Sequence, residues 1–306
     1  MKQPPHESLP SPPREPLPAP PQTRRRFLAT LGLATLTTAA LGAPRAAHAT
    51  LPAARASHAA RRIGLQLYTV RDLLGRDFEG TLARVAEIGF QEVEFAGYFG
   101  HSPEQVRAAL ARSGLAAPSA HVPLESGDAW QATLDAARVM GHRYVVLAWI
   151  PPEQRRTLDD YRRLAARLNR AGAAASAAGL RLAYHNHDFE LTPLGESVPY
   201  DLLLAETDAA HVAFEMDIYW VVKAGGDPLA YLARHPGRFP MVHAKDASAA
   251  PERRMMDVGS GTIDFRTILA RGTAAGVRHV FVEHDEPAEP LASARASYEH
   301  LAALNH

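Results

Sequence analysis

Three observations make the sequence predict a (β/α)8 barrel. Eight short apolar runs of β-type composition recur between residues 63 and 284, with amphipathic helical stretches between them. Eight such repeats in about 245 residues match the size and order of that barrel. Histidines and acids close many of the runs, and the C-terminal ends of the strands are where such barrels build their sites. A doubly wound sheet is the structural alternative, but no glycine-rich phosphate loop follows the first run. Neither a second domain nor a short internal repeat is visible.

In chain order the strand candidates are IGLQLYT from Ile63, QEVEFA from Gln91, LAAPSAH from Leu115 and RYVVLAW from Arg143. RLAYHNH from Arg181, HVAFEMD from His211, FPMVHAK from Phe239 and RHVFVEH from Arg278 complete the set. The helical candidates include FEGTLARVAEIG, SPEQVRAALARSG, YRRLAARLNRAGAAASAAG and FRTILARGTAAG. Several of them end in glycine, which suits a helix C-terminus because glycine enters the left-handed region without steric cost.

The 306 residues are 46% hydrophobic, enough for a large core. Net charge is zero, so nothing in the composition attracts nucleic acid or an anionic membrane. With no cysteine, thiolate ligands, catalytic thiols and disulfides are excluded; the 15 histidines are the strong nitrogen ligands that remain.

Residues 1–49 read as an export signal with a proline-rich leader, and 50–60 as a linker ahead of a barrel domain over 61–306. The basic TRRRFLAT (Thr23–Thr30) precedes a moderately apolar stretch and Ala47-His48-Ala49, a cleavage-type ending. The adjacent arginines followed by Phe27-Leu28 resemble a twin-arginine (Tat) signal. The expected location is periplasmic or secreted, with the Tat machinery as partner. An uncleaved membrane anchor is the competing reading, but the run is short and rich in Ala, Thr and Gly. No later segment is apolar enough to span a bilayer.

The site residues follow from strand ends. Glu94 closes the second run and His121 the third; His185 and His187 close the fifth and Asp217 the sixth. His243 and Lys245 close the seventh and Glu283 the eighth. One such residue alone is ordinarily a satisfied hydrogen-bonding group. Imidazoles and carboxylates converging on one rim form instead the ligand shell of a divalent metal such as Mn²⁺, Co²⁺, Zn²⁺ or Mg²⁺. Because side chains alternate along a strand, His185 and His187 face one way and Asn186 the other.

Arg71 and Trp220 are candidate substrate contacts, with an exposed loop arginine and core packing as their structural alternatives. Trp149 and Tyr219 share the aromatic reading. Asp246 and Lys245 are either a strand-end ion pair or supports for substrate and histidine. VGSGTIDF reads as a turn and helix cap. His142, His211, His235 and His279 are expected at the surface of the opposite face.

LQLYTVRD, GFQEVEFAGYFG, SAHVPLE, YHNHDFE, EMDIYWVVKAGGDP, GRFPMVHAKD, VGSGTIDF and VFVEHDEP together resemble the sugar phosphate isomerase/epimerase superfamily, the xylose isomerase-like TIM barrels. The resemblance runs over nearly all of Ile63 to His306. It implies metal ligands at Asp217, His243 and Glu283. Its fifth-strand carboxylate is replaced here by His185, so that either His185 or Glu190 is expected to complete the set. The implied activity is isomerisation or epimerisation of a free sugar or keto-sugar by proton abstraction beside a metal-bound carbonyl, with His187, His121 or Glu94 as base. A lyase, either a dehydratase or a 3-keto-glycoside β-eliminating enzyme, is the alternative on the same site. A non-catalytic sugar-binding protein and an endonuclease IV-like nuclease are the remaining readings, the latter opposed by the neutral charge.

Overall fold

A computed structural model describes residues 62–304. The expected signal segment and linker lie outside the described residues. The strands are β1 (Ile63–Gln66), β2 (Glu92–Ala96), β3 (Ala116–His121), β4 (Tyr144–Leu147) and β5 (Arg181–His185). They continue as β6 (Val212–Asp217), β7 (Met241–Ala244), β8 (Asp246–Ala247), β9 (Met255–Met256) and β10 (His279–Val282). All eight predicted runs enter one closed parallel barrel, in the order β1-β10-β7-β6-β5-β4-β3-β2. The small antiparallel β8–β9 hairpin was not predicted.

Alternation sorts the strand residues into two cores. Tyr144, Val146, Ala183, Ala213, Met241 and Phe281 pack together as a cluster of their own. Alternate residues such as Leu65, Val93, Leu182 and Phe214 belong to the larger core, with helix residues such as Leu82 and Leu168. Gly64 makes room for one of the first group: a Cβ there would meet the Phe281 ring at 2.4 Å. The two-residue period then carries polar groups onto the inner face one step further up: His185 above Ala183, Glu215 and Asp217 above Ala213, His243 above Met241, Glu283 above Phe281.

The helices are bounded as their sequences direct. Ser102 and Gln105 form a capping box before the helix Pro103–Ser113, which ends at Gly114 with φ 71°. Thr157 and Asp160 cap Leu158–Ala177 in the same way. The helix Phe78–Ile88 buries Phe78, Leu82, Val85 and Ile88, the spacing that gives a helix one apolar face. In VGSGTIDF, Asp264 accepts from the Thr267 N–H and caps the helix Phe265–Ala275. Asp246 holds that loop, its carboxylate accepting from the N–H groups of Gly259, Gly261 and Ile263 at 2.9–3.1 Å. It is neither a strand-end ion pair nor a support for a site histidine.

Two of the histidines expected at the surface are buried. His142, 5% exposed, sits against the Ala117 carbonyl oxygen through Nδ1 at 2.6 Å. His279, 9% exposed, pairs with Glu92, Nδ1 to Oε2 2.7 Å. His279 begins β10 and His142 lies two residues ahead of β4, and packing on the barrel's lower end closes over both. His211 and His235 are half-buried. No helix among the described residues is long and apolar enough to cross a membrane.

Candidate metal centre and cleft

The C-terminal rim gathers three imidazoles, five carboxylates and one ammonium. His121 Nε2 lies 3.0 Å from Glu215 Oε2 and 3.2 Å from Glu94 Oε2. His243 bridges the barrel: its Nε2 is 2.7 Å from Glu94 Oε2 and 3.2 Å from Glu215 Oε2, and its Nδ1 is 2.8 Å from Glu283 Oε2. His185 Nδ1 stands 3.2 Å from Glu215 Oε2, and its Nε2 3.7 Å from Asp217 Oδ2. Lys245 Nζ reaches Glu283 Oε2 and Asp285 Oδ1 at 2.6 Å each, and Asp217 Oδ2 at 3.1 Å. Gln66 donates to Glu94 Oε2 at 2.8 Å.

Burial and neighbouring charge work against each other here. Burial alone would lower His121, but Glu94 and then Glu215 raise it to about 9. His243 is likewise raised by Glu215 and Glu283 against burial, and Lys245 by Asp217, Glu283 and Asp285. Glu94 and Glu283 are depressed despite burial, Glu94 by His121 and Glu283 by Lys245 and His243. Asp217 is pushed up to about 6 by burial, with Lys245 and His243 opposing. His185 is driven well down by burial and by the charge of His243; His187 goes to about 3 through burial and Lys245.

Of the residues the sequence singled out, the fold brings together Glu94, His121, His185, Asp217, His243, Lys245 and Glu283. His187 stands just above, its ring 5.1 Å from that of His185 and stacked on Phe189. Trp220 borders the cluster, 5.5 Å from His187 and 5.8 Å from Lys245 Nζ. Asn186 turns away and ties β5 to β6, accepting from the Asp217 N–H at 3.0 Å.

Glu190 is not brought to the rim. Its oxygens accept from the Tyr184 hydroxyl at 2.5 Å and the His187 N–H at 2.8 Å. Tyr184 belongs to the outer core, so this carboxylate braces the loop from outside the barrel wall, and burial raises it to about 7. Arg71 is spent on the backbone, donating to the carbonyls of Tyr68 and Asp285 at 2.8 Å each. Tyr219 is buried and donates to the Arg253 carbonyl. Trp149 is 53% exposed.

Glu215, Gln66 and Asp285 join the cluster without having been singled out. Glu215 lies two residues from the chosen Asp217 on β6, so the strand period was the available signal; Asp285 lies past the end of β10, where that period gives none.

A cleft of about 460 Å³ opens over the cluster, lined among others by Tyr68, His121, Trp149, His185, His187, Lys245 and Glu283. The donor atoms suit a divalent transition ion. Two groups, His121–His185–Glu215–His243 and Asp217–His243–Glu283, each offer ligand atoms lying within 4.8 Å of one another. Glu94 Oε1, His185 Nδ1 and Glu215 Oε1 are buried without a hydrogen-bond partner, and Asp217 Oδ2 has none beyond its ion contact with Lys245. Buried polar atoms are costly unless satisfied, and a bound cation would satisfy such a set.

Comparison with known proteins gives the same architecture. The inosose dehydratase of Geobacillus thermodenitrificans (strain NG80-2) is 25% identical over 257 residues, 71% of this chain and 84% of the relative. The crystal structure of a sugar phosphate isomerase/epimerase from Parabacteroides distasonis ATCC 8503 superposes with a TM-score of 0.68 at 25% identity, over 78% of this chain and 97% of that one. The crystal structure of the IOLI protein with a binding zinc atom shares the fold, with a TM-score of 0.64 at 13% identity over 79% and 97% of the two chains. Residues 82–304 match the family model described as the xylose isomerase-like TIM barrel, and the chain belongs to that family.

Proposed function

We propose that the protein is a divalent-metal-dependent enzyme that removes the proton beside the carbonyl of a free keto-sugar or cyclic keto-polyol and then expels a neighbouring hydroxyl as water. The observation that carries this reading is the cleft itself. The Lys245 ammonium and the neutral His187 imidazole line it beside His121 and His185, over a buried set of carboxylates and His243. A bound divalent ion would polarise the substrate carbonyl and so acidify the adjacent C–H bond. The ion would be held by strand-end residues drawn from His121, His185, Glu215, Asp217, His243 and Glu283.

The chain's own groups divide the remaining work. His187 belongs to neither donor group and is neutral at pH 7, so it can accept the proton. Its low basicity means that it serves only a strongly acidified C–H bond. Lys245 stays protonated between Asp217, Glu283 and Asp285, and is placed to give a proton to the departing hydroxyl. The balance is simple: the C–H pair becomes the new C=C bond, and the C–O pair leaves with the hydroxyl, which takes a proton to become water. Trp149 and Tyr68 offer aromatic walls to a ring. Lys245 is already paired with Glu283 and Asp285, and Glu286 adds a further acid to the lining, which favours an uncharged polyol over a phosphorylated one.

The dehydratase name of the relative that aligns over 84% of its length supports elimination as the outcome. Isomerisation or epimerisation is the second reading, supported by the Parabacteroides neighbour. It shares the first step and differs in returning the proton to carbon. The test is product analysis by NMR after incubating metal-loaded protein with inososes and 3-keto-glucosides. Loss of one water is expected, leaving the enol of a vicinal diketone or the diketone it becomes; a rearranged or epimerised sugar of unchanged mass would establish the second reading, and unchanged substrate throughout would refute both. We also propose Tat-dependent export, on residues 23–49. A reporter fused behind those residues should fail to leave the cytoplasm in cells lacking the Tat translocase, and continued export there would contradict it.

A further inference from the structure

We infer that Arg155 is a positioning residue, which fixes the His187 imidazole in the cleft by packing on Phe189. The inference rests on His187 as the base of the proposed reaction and adds what holds that base in place.

A base must keep its ring at one angle to the C–H bond it attacks, and a hydrogen bond to a third group ordinarily does this. The His187 ring has no such bond. Its Nδ1 is buried without a hydrogen-bond partner, and no hydrogen bond among the described residues reaches the ring. The main chain is anchored separately, through the N–H that donates to Glu190 Oε2 at 2.8 Å. That bond leaves the side-chain torsions free. What the ring touches is aromatic. Phe189 lies parallel to it, with centroids 5.3 Å and planes 8° apart. Trp220 at 5.5 Å and His185 at 5.1 Å meet it at steeper angles, 41° and 76°.

Phe189 is held in its turn by Arg155. The guanidinium carbon is 3.4 Å from the Phe189 centroid, and 5.9 Å from that of Trp149. No other tie competes for this side chain. Among the described residues its guanidinium makes no hydrogen bond or ion pair, and Nε is buried without a partner. Arg162 and Arg163, a little further along the chain, each pair with an aspartate three residues back. A half-buried guanidinium without an acceptor is costly, and a π face partly shielded from water is the surface that compensates it.

The contact also joins two loops of the rim. Arg155 precedes the helix Leu158–Ala177 in the connection from β4, and Phe189 lies in the turn after β5. Neither residue lines the cleft, whereas His187 does. Arg155 therefore acts on the base through Phe189 and not on the substrate.

The test measures deuterium exchange and turnover by the metal-loaded full chain, with the inosose or 3-keto-glucoside that the wild type accepts. Arg155→Gln and Phe189→Leu should each lower kcat by about 2- to 30-fold, the rate equivalent of one cation–π contact. KM and bound metal should stay the same. The double variant should lose no more than the larger single loss, because one contact carries both effects. Phe189→Tyr keeps the ring and should keep the wild-type kcat. A second readout needs no substrate: the His187 imidazole NMR signals, assigned by their loss in His187→Gln, should shift in Arg155→Gln. Circular dichroism checks folding, and if Phe189→Leu does not fold, Arg155→Gln at its loop position decides alone. Wild-type kcat in Arg155→Gln, a rise in KM alone, losses that multiply in the double variant, or unmoved His187 signals would overturn the inference and leave His187 as the base. A His187→Gln variant that reacts at the wild-type rate overturns both.

Discussion

The two ends of the barrel use the same residue types to different effect. At the lower end His279 and Glu92 make a single buried contact of 2.7 Å, with Arg62 3.9 Å from the same carboxylate. One donor meets one acceptor there, and the Tyr144 and Phe281 rings pack on the imidazole. At the upper end Glu215 Oε2 alone stands between three imidazoles, and four buried atoms of the rim go without hydrogen bonds. The lower end is a matched pair sealed by packing; the upper end is an unmatched excess of ligating groups beneath an open cleft. Residue type alone therefore does not distinguish a structural histidine from a candidate ligand. Stoichiometry of partners and access to solvent do.

The contrast can be broken first at the rim. His243→Ala removes the residue common to both donor groups, so bound metal and kcat/KM should both fall by more than about 100-fold, with the barrel still folded. Metal analysis with steady-state kinetics on the proposed substrates checks this. A smaller effect of opposite character is expected below. His279→Leu leaves Glu92 without its imidazole and should cost about 1.5–3 kcal/mol of stability. The thermal midpoint would drop by several degrees, while the metal content of folded protein stays the same. Were His279→Leu to strip the metal, the two ends would not be independent.

The smallest effect is expected at Glu190. Glu190→Gln should leave metal affinity unchanged, because that carboxylate is committed to Tyr184 and the His187 N–H. Its pH signature is distinct. Burial raises the folded-state value to about 7, so the folded chain holds a proton that the unfolded chain releases near the ordinary 4.5. The group's contribution to stability is present below that lower value and is lost as pH rises through about 7. Melting curves should therefore show wild type losing stability relative to Glu190→Gln between pH 5 and 8. A pH-independent difference would show that Glu190 is not held in its protonated form.

Much of the fold was legible because parallel strands are covered on both faces and read as continuous apolar runs. Strand ends then located most of the rim, since alternation sends Asp217, His243 and Glu283 inward together. The β8–β9 hairpin was not legible: two-residue strands have no period to detect. Glu215 was overlooked beside Asp217, although it shares its face. Glu190 was misplaced for a different reason. The chain leaves the strand after His185, so period-two reasoning no longer applies, and the residue turns outward to Tyr184. His142 and His279 were placed at the surface because strand starts are often exposed, whereas here packing covers them.

The proposed chemistry turns on proton removal beside a carbonyl, and hydrogen–deuterium exchange reads that step directly. Metal-loaded protein in D₂O should place deuterium from solvent on the carbon next to the carbonyl of a keto-sugar or inosose. Alternatively, it should eliminate water from the specifically deuterated substrate with a primary isotope effect. His187→Gln should keep its metal and lose this reaction by about 10²–10⁴-fold. Folded, metal-loaded wild type that neither exchanges nor eliminates, or a His187→Gln variant that reacts at the wild-type rate, would contradict the account.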